Sequence, residues 1–109
     1  GLKYVSLLPN PFSPEVSPLK IGYFLTTDIP PAMVSIRIYN LRGELVRTLL
    51  DNDIQFPGRY GSRTSLKEIS WDGTADDGNI ARNGRYIIRI TAKDNSGEKT
   101  ELIPVVLVK

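Results

Sequence analysis

The chain has 109 residues, 40% hydrophobic and 24% charged, with 14 Lys and Arg against 12 Asp and Glu for a net charge of +2, the size and balance of one soluble domain spanning residues 1–109. Histidine and cysteine are both absent, which excludes disulfides, thiolate metal sites and every catalytic scheme built on imidazole or thiol. Basic residues are scattered rather than blocked, so no nucleic-acid partner is expected, and no stretch reaches the roughly 18 apolar residues of a bilayer span, so no membrane insertion is expected.

Apolar residues recur with period two almost throughout, and no window of eleven residues sustains a helical stripe. The first short run, Val5 to Leu8, reads as a strand. Pro9-Asn10-Pro11-Phe12-Ser13-Pro14 follows. Its three prolines fix φ and remove three backbone donors, so it cannot pair as a central strand. It reads as a stiff lead-in whose Phe12 plugs an open end of a sandwich; a Pro-rich ligand for another module is the alternative.

Leu19, Ile21, Tyr23 and Leu25 share one face of the next strand, while Lys20, Gly22 and Phe24 face away. After a Pro30-Pro31 turn, Met33 to Asn40 places Val34, Ile36 and Ile38 opposite Ser35, Arg37 and Tyr39. A turn at Leu41-Arg42-Gly43 leads to a strand from Leu45 to Leu50, and Asp51-Asn52-Asp53 reads as the turn that ends it. Asp51 to Ser65, with Pro57-Gly58 and Gly61, is expected to form a long loop. A strand from Leu66 to Trp71 is expected beyond it.

Asp77-Gly78 and Asn83-Gly84 mark further turns. Tyr86, Ile88, Ile90 and Ala92 then form one face of a strand whose other face carries Ile87, Arg89, Thr91 and Lys93. Asn95-Ser96-Gly97 separates it from the last run, Glu98 to Val108, in which Pro104 dictates an edge or a bulge. About seven short strands at this spacing imply an all-β, immunoglobulin-like antiparallel β-sandwich.

Asp72, Asp76 and Asp77 place three carboxylates within six residues, which invites calcium. The spacing is not the alternating pattern of an EF-hand and no Glu closes it; the alternative has these side chains accepting backbone N–H groups in consecutive turns. Ile69 and Trp71 share parity, so Trp71 is assigned to the core rather than to a sugar platform. Tyr4, Phe24, Tyr39, Phe56 and Tyr60 are then the candidates for an exposed aromatic patch. No nucleophile and base, and no carboxyl pair in an apolar setting, can be assembled, so no catalytic residue and no cofactor is expected.

Taken in order, Pro9-Asn10-Pro11-Phe12, Ile21-x-Tyr23-x-Leu25, Val34-x-Ile36-x-Ile38-Tyr39-Asn40-x-x-Gly43, Leu45-Val46-x-x-Leu49, Trp71-Asp72-Gly73 with Gly78, and Asn83-Gly84-x-Tyr86 resemble the immunoglobulin-like repeat of flagellar hook-capping proteins. The same pattern is similar to the C-terminal sorting domains of the type IX (Por) secretion system, over about residues 8 to 109. The resemblance implies a non-enzymatic C-terminal module of a larger exported bacterial protein. Its role would be sorting, surface attachment or capping, its place the cell surface or the exterior, and its partners the secretion or surface machinery and the parent's upstream domain. An accessory carbohydrate-binding module, with glycans as partners, is the alternative of a different class.

Two features depart from that pattern. The stretch from Leu50 to Trp71 is long, and its Arg59, Arg63 and Lys67 form either a binding surface or a solvated flap. The last run is long and β-branched; on an edge it either pairs within the sandwich or is taken by a partner strand.

Overall fold

The computed structural model describes residues 1–61 and 67–109. Period-two alternation becomes eight strands, with no helix among the described residues: β1 (Leu2–Leu8), β2 (Leu19–Leu25), β3 (Ala32–Asn40), β4 (Leu45–Gln55), β5 (Gly58–Tyr60), β6 (Ser70–Trp71), β7 (Gly84–Asp94) and β8 (Gly97–Leu107). A small sheet has the order β1-β2-β5, with β6 also pairing β2, and a large sheet has the order β4-β3-β7-β8. Every pairing between these strands is antiparallel. These are the A-B-E and C′-C-F-G orders of an immunoglobulin sandwich. The Tyr86 hydroxyl donates to the Arg82 carbonyl at 2.6 Å, reproducing the tyrosine corner that fixes the chain where it enters the penultimate strand of such folds.

The core lies where the two inner faces meet. Leu19, Ile21, Tyr23 and Leu25 of β2 face Val34, Ile36 and Ile38 of β3 and Tyr86, Ile88, Ile90 and Ala92 of β7, and all are buried. Trp71 is fully buried with Ile69 beside it in the same parity, as their spacing predicts. Phe12 closes one end of this core: it is 1% exposed, with its ring 5.4 Å from that of Trp71, which in turn meets Tyr86 edge-on at 5.5 Å. Tilted and edge-to-face pairs of this kind add to the area that aromatic rings bury.

Four expectations are corrected. The expected Asp51 to Ser65 loop contains the short β5, which brings the described residues to eight strands. Asp51-Asn52-Asp53 is not a turn but lies inside β4; Asn52 takes φ 50° at a register shift against β3, which Asn tolerates and which bends an edge strand without ending it. The expected strand from Leu66 to Trp71 is only Ser70–Trp71 among the described residues, since Leu66 and the rest of residues 62–66 lie outside them. The first strand starts at Leu2 rather than Val5.

That longer β1 needs an extra residue. Leu2 pairs with Leu25 and Leu7 with Ile21, so the ends of this inward-facing run are five positions apart on β1 and four on β2. Alternation cannot hold both ends without a bulge. Tyr4, at φ 53°, absorbs the difference and is turned out to 84% exposure.

Candidate functional site

The acidic loop after β6 serves its own backbone. Asp72 Oδ1 accepts from the Thr74 amide at 3.0 Å and from the Thr74 hydroxyl at 2.6 Å. That hydroxyl bond is the main reason its carboxyl lies below the ordinary range. Asp77 Oδ1 accepts from the Asn79 amide at 2.9 Å. Asp76 reaches elsewhere: its Oδ1 accepts the Thr48 amide of edge strand β4 at 3.1 Å and its own amide donates to the Val46 carbonyl at 2.8 Å. The three calcium candidates therefore act as two turn caps and one edge clamp. Among the described residues no three acidic groups converge as a metal site.

The lead-in segment closes the other edge of the large sheet. Asn10 Nδ2 donates to the Pro104 carbonyl at 3.2 Å and its Oδ1 accepts the Val106 amide at 3.1 Å. Phe12 continues the pairing through its amide to the Val106 carbonyl, and its carbonyl accepts the Val108 amide, both at 2.9 Å. Here Pro104 is harmless: its outer side is met by a side-chain donor to its carbonyl, so no ladder bond is lost for want of an N–H. Of the two fates open to the apolar tail, this is the first, since β8 also pairs with β7 along its whole length.

A polar chain, buried at Tyr23 and Gln55 and part-exposed at Asp53 and Lys67, was missed in the sequence reading and ties the sheets together beside the segment after Leu50. Tyr23 of the small sheet donates to Gln55 Oε1 of the large sheet at 2.6 Å. Gln55 Nε2 donates to Asp53 Oδ2 at 3.1 Å, and Lys67 Nζ donates to the same oxygen at 2.8 Å. Burial drives the Tyr23 hydroxyl well above its ordinary value. The Lys67 hydrogen bond is the largest of the effects holding the Asp53 carboxyl below its own. Of the three cations singled out in this stretch, Lys67 is thus structural, Arg59 is exposed, and Arg63 lies outside the described residues.

No family model and no curated protein matches the chain. Two solved structures from Porphyromonas gingivalis share its fold. Dimeric latent PorU superposes with a TM-score of 0.68 at 23% identity, covering 95% of this chain and 9% of that one. PorZ, an essential bacterial surface component of the type IX secretion system, superposes with a TM-score of 0.57 at 20% identity, covering 97% of this chain and 12% of that one. The chain spans only about a tenth of the length of either.

The five candidate aromatics part company. Tyr4, Phe24 and Tyr60 line one groove on the outer face of the small sheet, whereas Tyr39 lies on the large sheet, in register with Ile87 and Leu45. Tyr60 is tied down by its hydroxyl, which donates to the Phe56 carbonyl at 2.8 Å, and by its ring, stacked 5.5 Å from Tyr23. Phe56, 59% exposed, stands beside it. Among the described residues no helix is long and apolar enough to cross a membrane.

Proposed function

We propose that residues 1–109 act as one non-enzymatic module of a larger exported bacterial protein, directing it to, or holding it at, the cell surface through proteins of the secretion or surface machinery. One observation carries this reading: nearly the whole chain superposes on a small part of PorZ, a surface component of the type IX secretion system, and on a small part of latent PorU. The closed tail gives it a form. With β8 paired on one side by β7 and latched on the other by Asn10 and Phe12, the recognised object is the folded module rather than a free C-terminal strand. No flagellar role is drawn from the resemblance to hook-capping repeats, because one of the two structural likenesses is to a secretion-system component and neither is to a flagellar protein.

The test is a periplasm-directed reporter carrying this chain at its C-terminus, produced in a bacterium with an active type IX system. The reporter reaches the cell surface or the medium when the system works and stays in the periplasm when it is inactivated. A reporter that remains periplasmic in both strains reduces the module to a spacer and overturns the proposal.

A further inference from the structure

The strands of the small sheet carry charge of one sign only, the exposed Glu68 lying just outside β6. The four strands, LKYVSLL, LKIGYFL, GRY and SW, contain Lys3, Lys20 and Arg59 and no Asp or Glu, in a chain that has 12 acidic residues. All three cations are exposed. Lys3, Phe24 and Arg59 stand in one cross-strand row, so an aromatic ring is flanked on both sides by positive charge.

Next to that row the surface sinks into a groove of about 200 Å³ lined by Tyr4, Ser6, Gly22, Phe24, Arg59 and Tyr60 among others. Gly22 makes its floor. A Cβ there would stand 3.0 Å from the Ser6 hydroxyl and 3.4 Å from the Tyr60 carbonyl, so any side chain fills the depression. Tyr4 makes its rim, turned outward by the β1 bulge at φ 53°, a conformation that bulky residues avoid and that is often found where a side chain has work beyond packing. Among the described residues no hydrogen bond or ion pair engages the Ser6 hydroxyl or the side chains of Lys3 and Arg59.

We propose that this groove binds an acidic pyranose, the uronate class of glycan residue. The aromatic rings of Tyr4 and Phe24 meet the apolar C–H face of such a ring. The Arg59 guanidinium offers the planar fork that suits its carboxylate, and Ser6 supplies a hydrogen-bonding group for a ring hydroxyl. The groove is too small for a drug-sized ligand and has room for one sugar ring. Arg59 in the lining and Lys3 in the adjoining row select the charged sugar over the neutral one. This inference stands apart from the export role, since it is read on the isolated chain.

The test is an amide NMR titration of the full chain with oligogalacturonate, with galacto-oligosaccharides and poly-glutamate as the neutral and charge-only comparisons. Oligogalacturonate shifts Ser6, Gly22 and Phe24 in preference to both comparisons. Arg59→Gln weakens the binding about tenfold or more, the scale of one charge-assisted hydrogen bond, and Gly22→Ala abolishes it while leaving the remaining spectrum folded. Tyr4→Gly, which relieves the backbone, also weakens it although the fold is undisturbed. Equal shifts with poly-glutamate, equal shifts with the neutral sugar, or no shifts at millimolar ligand each overturn the proposal.

Discussion

Asn10 and Val106 stand 96 residues apart and are joined by a 3.1 Å hydrogen bond from the Val106 amide to the Asn10 side-chain oxygen. One amide side chain thereby does for the outer edge of β8 what a neighbouring strand does elsewhere, accepting from Val106 and donating to Pro104. An edge strand covered in this way is withheld from pairing with another chain.

Replacing Asn10 removes both bonds. Because they are exposed, water replaces them in part, and Asn10→Ala is expected to cost about 1 kcal/mol, a fall of several degrees in Tm for a domain of this size. Asn10→Asp keeps only the acceptor and falls between wild type and Ala. Thermal unfolding checks the order; an unchanged Tm for Asn10→Ala would show that the latch holds nothing.

Phe12 fills the end of the core against Trp71, so Phe12→Ala leaves a cavity and is expected to cost about 3–5 kcal/mol. Denaturant unfolding gives the magnitude. Trp71 fluorescence gives the place, shifting to the red as water reaches the indole in the variant. A loss below about 1 kcal/mol contradicts the plugged core.

Tyr23 and Gln55 set the alkaline limit. Burial raises the Tyr23 pKa in the folded state, so the stability it contributes is complete below the ordinary tyrosine value near pH 10 and is lost as pH rises beyond it. The Tyr86 pKa is raised in the same direction. Tyr23→Phe is expected to cost about 1–3 kcal/mol at neutral pH by leaving Gln55 Oε1 without its donor, and to flatten the decline in stability above pH 10 without abolishing it. A decline as steep as wild type would assign the alkaline transition elsewhere.

The acid side has the opposite sign. Hydrogen bonds from Ser96 and Thr27 lower the Asp94 carboxyl to about 2, and Asp53 and Asp72 are lowered as well. Their contribution is present above about pH 4, the unfolded carboxylate value, and fades as pH falls through the folded values. Asp94→Asn is expected to show a shallower loss between about pH 4 and 2 than wild type; denaturant midpoints across that window decide, and parallel curves count against it.

Most of the architecture was legible because alternation alone settles which face of a strand is buried. Val34, Ile36 and Ile38, and Tyr86, Ile88 and Ile90, could only form inner faces. Trp71 followed from its parity with Ile69, and Phe12 from prolines that forbid pairing on one side of it. Two of the misreadings share a cause: bulges break period two. Asn52 looked like a turn residue because the conformation it adopts inside β4 is one that turns also use, and Tyr4 hid the start of β1 in the same way. The Tyr23–Gln55–Asp53–Lys67 chain left no trace in any local pattern, since Tyr23 comes from β2, Asp53 and Gln55 from β4 and Lys67 from the segment before β6, and the four meet only when the sheets close. Of the candidate site, the five aromatics could be named in advance, but that Tyr4 and Phe24 share a groove while Tyr39 does not depends on strand order.

Whether β8 belongs to the folded core is tested most directly by native-state hydrogen exchange of the intact chain. The Val106 and Val108 amides, bonded to Asn10 and Phe12, should exchange only with openings nearly as costly as those that expose Ile88 and Ile90 in β7. Exchange of Val106 and Val108 at the rate of free loop amides, with Ile88 and Ile90 still protected, would mean that β8 lies open along its outer edge and that the tail itself is what a partner takes.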